Sequence, residues 1–422
     1  MTSAHFKKRQ RAAWRFKLYG QLAIGFACLA LFVLLGNIVM RGYTGFIETQ
    51  IYLPKAEGMK QAITAMPGVL VIEDDEGVAE VAPVVASGVS AITLIEPEEV
   101  VDPAVVLAKQ QKQNYKLAKK LFSGAIRRQI KNTSWITAAT NVDIWNKGIL
   151  SEEQMLADGR FNEQQLGWLK EWKEQGHIRK TFDIDFLTSG DSREPEQAGF
   201  AASIIGSLLT VLICLSVAFP MGVMTAVYLE EFAPKNKISD LIEVNINNLA
   251  AVPSIVFGLL GLGLYLNLFG MPRSASLVGG LTLAMLVLPV IIIATRAALR
   301  AVPPSIRDAA RGLGATELQV VAHHVLPLSL PGIMTGTILG VARAIGETAP
   351  LLMIGMVAFI ADVPEGFTDP ASAMPVQVFL WASSPELGFV EKTSAGIMVL
   401  LTVLLMLNFV AIMVRNRFET KW

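Results

Sequence analysis

Long apolar runs organise the chain, and their length leaves few folds open. They lie near 18–40, 200–229, 249–269, 277–299, 332–360 and 395–414. A helix needs about 20 apolar residues to cross the hydrocarbon layer, where backbone N–H and C=O groups must be satisfied internally. Six helical spans is therefore the simplest count. Hydrophobic residues make up 52% of the 422 and charged residues only 17%, too apolar a balance for a soluble multi-domain protein. The 36 basic and 36 acidic residues cancel, so net charge points to neither nucleic acid nor an acidic partner.

The first run follows a basic stretch, KKRQRAAWRFK (7–17), and extends from about Leu18 to Met40. It exceeds the roughly 7–15 residues of a signal-peptide core, and NIVMRGY after it offers no cleavage site, so an uncleaved anchoring helix is expected. The runs 200–229 and 332–360 are longer than one span requires, which predicts tilt or a break, with Pro220 and Pro350 as the interrupting residues. Arg and Lys in short loops favour the cytoplasm. They gather at the N-terminus (Lys7 to Lys17), at 230–245 (Lys235, Lys237), at 300–330 (Arg300, Arg307, Arg311) and at the C-terminus (Arg415, Arg417, Lys421). The 361–393 loop is acidic. Both termini are therefore expected in the cytoplasm.

Three regions follow: 1–40, a cytoplasmic basic tail and first transmembrane helix; 41–198, an extracytoplasmic α+β domain; and 199–422, a transmembrane domain of about five spans. The middle region mixes strand-like alternation (68–75, 91–99) with helix-like stretches (105–130, 151–175), the second opening at a cap-like Ser151. It carries no catalytic constellation. His177 reads as a surface residue, and Asp183 and Asp185 as a polar strand face. Cys28 and Cys214 fall inside apolar runs and form no disulfide framework or zinc site. The chain has no G-x-x-x-x-G-K-[ST], H-E-x-x-H or G-x-S-x-G, so neither an ATPase nor a hydrolase motif is present.

Two segments carry functional signal. In the 303–331 loop, Pro303 and Pro304 fix the start, Pro327 and Pro331 the finish, and Ala309, Leu313, Leu318 and Val321 have the spacing of a short amphipathic helix. Gly312 and Gly314 permit a sharp turn. Adjacent His323 and His324 cannot share a helix face, which argues against a metal site. The second segment, ARAIGETAPLL (342–352), places two charges inside an apolar run. Each costs about 2.5–3.5 kcal/mol on insertion scales, so Arg343 and Glu347 must face partners or water. A helix starting near Pro331 would put Arg343 roughly 18 Å along it, near mid-membrane, with Glu347 one turn further on the same face. Gly332, Gly336 and Gly340, continued by Ala344, form a small-residue stripe that lets another helix approach. Pro350 leaves the carbonyl of Gly346 without its usual donor. Two readings stay open: a structural salt bridge, or an Arg343 fork offered to a tetrahedral oxyanion and held by Glu347. Elsewhere, Asn245, Asn247 and Asn248 suggest interhelical hydrogen bonds, Arg296 a snorkelling side chain, and Glu230 and Glu231 an exposed helix end.

Asp308-Ala309-Ala310, then Gly314, then Leu326-Pro327 resembles the EAA loop of bacterial ABC importer permeases. Asp308 replaces the usual Glu, and His324 occupies the usual Ile position. RAIGET with TAPLL (343–352), MPVQVFLWASSPE (374–386) and VNINNLAAVPSIVFGLLGLG (244–263) resemble the phosphate-specific transporter permeases, of the PstA type. The resemblance covers roughly 200–415. It implies an α-helical polytopic membrane protein with an ABC importer permease core. The implied function is a permease subunit of an ATP-driven phosphate importer in the bacterial inner membrane, not itself an enzyme. Implied partners are a second, PstC-type permease, an ABC ATPase dimer that binds the ATP and Mg, and a periplasmic phosphate-binding protein. This chain would hold no cofactor. The resemblance assigns Asp308, Ala309, Ala310, Gly314, Leu326 and Pro327 to ATPase coupling, and Arg343, Glu347 and Thr348 to the substrate pathway. A membrane-anchored sensor, or a permease for sulfate or molybdate, is the alternative.

Overall fold

The computed structural model describes residues 2–53, 66, 103–121, 144–147, 162–357, 359–386 and 388–418. The strand-like stretches 68–75 and 91–99, residues 122–130 and Ser151 lie outside them. The chain divides into two compact units, Ile47–Asp183 and the remainder, Met1–Phe46 with Ile184–Trp422.

The smaller unit contains a three-stranded antiparallel sheet of β1 (Ile47–Leu53), β2 (Ile144–Lys147) and β3 (Ile178–Phe182), in the order β2-β1-β3. Ile51 stands opposite Asn146 on one side and Ile178 on the other. In β1, Thr49 and Ile51 share the buried face, as period-two alternation requires. Helix α2 spans Pro103–Lys119, and helix α3 spans Glu163–Glu174. The N–H of Asn162 donates to Gln165 Oε1 at 3.1 Å at the start of α3, whose buried face carries Trp168, Leu169 and Trp172. His177 is half-buried rather than a surface residue, and Asp183 is buried just past the end of β3 instead of lining a polar strand face.

The larger unit is helical. Helix α1 (Thr2–Gly42) holds the first candidate span, Lys17–Phe46. Phe46 at its end meets Phe186 edge-on at 5.2 Å, so the chain leaves for the smaller unit and returns from it at one spot. Helix α4 (Ala201–Val227) runs unbroken through Pro220 and closes in a π turn, Tyr228–Phe232. Helices α5 (Lys237–Ala250) and α6 (Ser254–Gly261, continued by a π segment to Leu268) meet at a 100° bend. The 249–269 run is thus not one straight span. Pro253 disfavours helix at Val252, and α5 has already stopped at Ala250. Helix α7 (Ser276–Arg300) contains Pro289, and its buried face forms much of the core with Cys214, Ala218, Phe257, Ala344 and Leu351. Cys28, by contrast, is exposed. Helices α8 (Pro304–Gly312) and α9 (Glu317–Val320) make the loop. Helix α10 spans Leu326–Gly346, α11 Ala349–Met353, α12 Met374–Ala382 and α13 Gly388–Phe418. Among the described residues five helices are long and apolar enough to cross a membrane, or six if the bent pair counts as one span.

The run at 332–360 breaks beside Pro350, as its length predicts, but the span itself begins earlier than the run. The apolar helix occupies 317–346, and the chain breaks at Glu347, whose backbone is extended (φ −77°, ψ 119°). Pro350 has no N–H for the carbonyl of Gly346, and its ring crowds that carbonyl, which favours a break here although α4, α7 and α10 each carry an internal proline. The short α11 turns back against α6, where a Cβ added to Gly258 would lie 2.7 Å from the Cα of Pro350.

Candidate functional site

Helix α10 joins the two segments that the sequence singles out. At its start is the loop. Helix α8 ends in a Schellman motif: the N–H of Ala315 donates to Ala310 O at 3.1 Å, and that of Gly314 to Arg311 O at 2.9 Å. Gly314 has φ +86°, a conformation that costs an L side chain about 1–2 kcal/mol. Thr316 then caps α9, exchanging hydrogen bonds with Gln319. The apolar face differs from the expected one. Ile306, Ala310, Val320 and Val325 pack inward with Leu299 and Val302, whereas Leu313 is 90% and Leu318 68% exposed. Ala309 is exposed, and of the expected set only Val321 is buried. The turn thus presents two leucines outward between charged neighbours. Asp308 is exposed and pairs with Arg311 at 3.2 Å; Arg311 also grips Glu317 at 2.9 and 3.0 Å. The carboxylate of Glu317 raises the pKa of Arg311 further. Leu326 is half-buried and Pro327 exposed, in the first turn of α10 where a missing N–H is harmless. His323 and His324 are both exposed on a π turn, Val321–Val325.

Along α10 the glycine stripe faces α7. A Cβ at Gly332 would lie 2.7 Å from Ala298 Cβ, one at Gly336 would overlap Ala294 Cβ, and one at Gly340 would lie 2.7 Å from Val287 Cγ1. The absent side chains let the two helices touch along three turns.

At the far end of α10 stands the charged pair. Because the helix starts at Leu326 and not near Pro331, Arg343 lies about 25 Å along it, in its last turn rather than halfway. A cation suits that position, where unsatisfied carbonyls leave a partial negative charge. Glu347 has left the helix and does not share its face, yet its Oε1 accepts from Arg343 Nε at 3.3 Å. The Arg343 side chain is 44% exposed, and its two terminal amino groups have no partner among the described residues. The Glu347 side chain is 19% exposed. Half-buried Thr348 follows, its carbonyl accepting from Leu352 N–H at 3.0 Å. Arg343, Glu347 and Thr348 therefore converge at a helix break, about 25 Å along α10 from the loop residues.

A second charged group was not legible in the sequence. On the π turn that ends α4, Glu230 accepts from Arg296 at 3.2 Å and Arg300 at 2.9 Å, while Glu243 of α5 accepts from Arg296 at 2.8 Å. Arg296 is thus paired rather than snorkelling, and Glu230 and Glu231 are not an exposed helix end. Asn245 donates to Leu241 O of its own helix at 2.7 Å, not to a neighbouring helix. Among the described residues no three His, Cys, Asp or Glu side chains are placed to hold a metal ion.

Residues 218–421 match the family of binding-protein-dependent transport system inner membrane components, and residues 3–56 match a domain of unknown function, DUF3333. The chain is 33% identical over 224 residues to the phosphate transport system permease protein PstA 1 of Mycobacterium tuberculosis, covering 52% of this chain and 72% of that one. It is 32% identical over 213 residues to PstA of Yersinia pestis, covering 50% and 71%. Among solved structures, the inward-facing MetNI methionine ABC transporter superposes with a TM-score of 0.41 at 16% identity, over 52% of this chain and 97% of that one. The chain belongs to the PstA-type permeases among the binding-protein-dependent inner membrane components.

Proposed function

We propose that this ABC importer permease subunit conducts inorganic phosphate, and that Arg343 is the residue on which the anion pauses. The observation that carries the reading is the half-open Arg343. Its guanidinium is fixed through Nε by Glu347 and keeps both amino groups free, the fork that matches two oxygens of a tetrahedral oxyanion. Glu347 neutralises the site between passages and keeps the anion from binding too tightly to leave. Thr348 offers a hydroxyl beside it. The PstA names of the relatives support phosphate as cargo.

In this reading the membrane is the bacterial inner membrane, with both termini and the 303–331 loop in the cytoplasm and residues 41–198 outside. Leu313 and Leu318, with Asp308 and Ala309 beside them, are the surface that docks on a separate ATPase dimer, which binds ATP and Mg. Gly314 shapes that tip, and Ala310, Leu326 and Pro327 seat it on the bundle. A PstC-type permease completes the channel, and a periplasmic phosphate-binding protein delivers the anion. ATP-driven alternating access then exposes Arg343 to each side in turn.

The test is uptake of labelled phosphate by vesicles containing the whole assembly. Arg343→Gln is expected to reduce uptake by about tenfold or more, the worth of a charge-assisted hydrogen-bonded contact. Glu347→Gln should alter the concentration dependence. Unchanged uptake in both variants would leave the pair as a structural salt bridge. Uptake of labelled sulfate or molybdate but not of labelled phosphate would reassign the cargo.

A further inference from the structure

One part-buried ion pair has no part in the reading above. Arg307, the residue before Asp308, binds Glu231 through two hydrogen bonds, at 2.7 and 3.2 Å. The same guanidinium donates to Val302 O at 2.8 Å and Leu299 O at 3.0 Å. Its side chain is 16% exposed, and that of Glu231 is 9% exposed. One planar group thus binds three elements together: α8 that carries it, the carbonyls at the end of α7, and the π turn at the end of α4. The neighbouring carboxylate, Glu230, holds α7 separately through Arg296 and Arg300.

We infer that the Arg307–Glu231 pair is the joint through which movement of the exposed loop tip reaches the spanning helices α7 and α4. The loop pulls directly on α10, into which it runs without a break over 317–346, and the pair supplies its link to α7 and α4. Its remaining inward contacts are apolar side chains, Ile306, Ala310, Val320 and Val325, which resist compression but slide under shear more readily than a paired charge. A bidentate pair resists both, because sliding would separate charges that are already out of water. From the joint the path is continuous: α7 carries Ala298, Ala294 and Val287, which touch the glycine stripe of α10, and the last turn of α10 carries Arg343. Arg307 and Glu231 touch no cargo; they are positioning residues. The inference rests on the permease reading, in which separate ATPase subunits drive the loop.

The test uses the whole assembly in vesicles with Glu231→Gln and Arg307→Lys, recording ATP hydrolysed, phosphate taken up and ATPase subunits retained. Uptake per ATP is expected to fall about tenfold in Glu231→Gln and less in Arg307→Lys, with the ATPase subunits still bound. A wild-type ratio in both variants overturns the joint. Loss of the ATPase subunits also overturns it, because the pair would then be supporting the docking surface. A parallel measurement does not depend on the cargo. Spin labels at Ser305→Cys and Leu339→Cys, in a chain with Cys28 and Cys214 replaced by Ser, report the ATP-driven change in distance between loop and span. Wild-type assembly that shows the distance change without phosphate uptake sinks the phosphate reading alone. A distance change that persists undiminished in Glu231→Gln sinks the joint alone.

Discussion

Glu230, Glu231, Glu243, Arg296, Arg300 and Arg307 crowd together at the loop end of the helical unit, whereas Arg343 and Glu347 stand at the other end of α10. In the first group each arginine meets a carboxylate at 2.7–2.9 Å, and Glu230 serves two of them. In the second, one contact at 3.3 Å leaves most of the guanidinium unused. Both sets are partly withdrawn from water, at some cost of dehydrating charge, and each keeps one arginine about half exposed, Arg300 at 54% and Arg343 at 44%. What differs is how completely that cost is offset. Arg307, with every donor nitrogen engaged, holds helices together, whereas Arg343, with donors to spare and no second carboxylate in reach among the described residues, can exchange partners as an anion passes. The contrast separates structure from function more sharply than the presence of charge does.

The largest expected effect breaks the first group. Glu230→Ala leaves Arg296 with Glu243 alone and weakens the hold on Arg300. Loss of one member of a largely buried network should cost about 2–3 kcal/mol, somewhat below the fully buried case because Arg300 is half exposed. Glu347→Ala should cost under about 1 kcal/mol, because the pair is one long contact to an arginine that is 44% exposed. Thermal unfolding in detergent compares the two. Equal losses would erase the distinction between them.

A smaller effect tests the seam that connects the two ends. Gly336→Val drives a side chain into Ala294 and should destabilise by about 1–3 kcal/mol. Gly346, at the end of the same helix, has nothing within 4 Å of an added Cβ. Gly346→Ala should therefore be neutral or stabilising by about 0.4–1 kcal/mol. If the two glycines respond alike, the stripe is not an interface.

The contrast between the regions also explains what the sequence revealed. Apolar runs announced nearly every long helix, because a span must be apolar along its whole length. Gly332, Gly336 and Gly340 were legible as a seam because their period is local. Glu230 and Arg296 are 66 residues apart and Glu231 and Arg307 are 76 apart, and no local pattern links such residues. The position of Arg343 along its helix differs from the expected one for a related reason. Pro331 looks like a helix start, yet α10 begins five residues earlier and carries Pro331 inside it. Leu313 and Leu318 have core-like spacing but point outward, because the Schellman turn at Gly314 reverses the chain between them.

The smallest effect concerns a third kind of charge, a lone carboxylate at a helix-packing junction. Asp191 Oδ1 accepts from the Trp381 indole at 3.0 Å and from the Ser192 amide at 2.9 Å. Burial raises its pKa above the ordinary value, and these hydrogen bonds offset that only in part. The folded chain therefore keeps a proton that the unfolded chain has already lost. Stability is greatest below the ordinary carboxylate pKa and falls as pH rises through the raised folded one. Asp191→Asn retains an acceptor for both donors and removes the titration. Its melting temperature should match wild type in acid and exceed it increasingly as pH rises through the folded pKa, then level off. The opposite slope, with wild type gaining on the variant at higher pH, would place Asp191 among the paired carboxylates at the loop end.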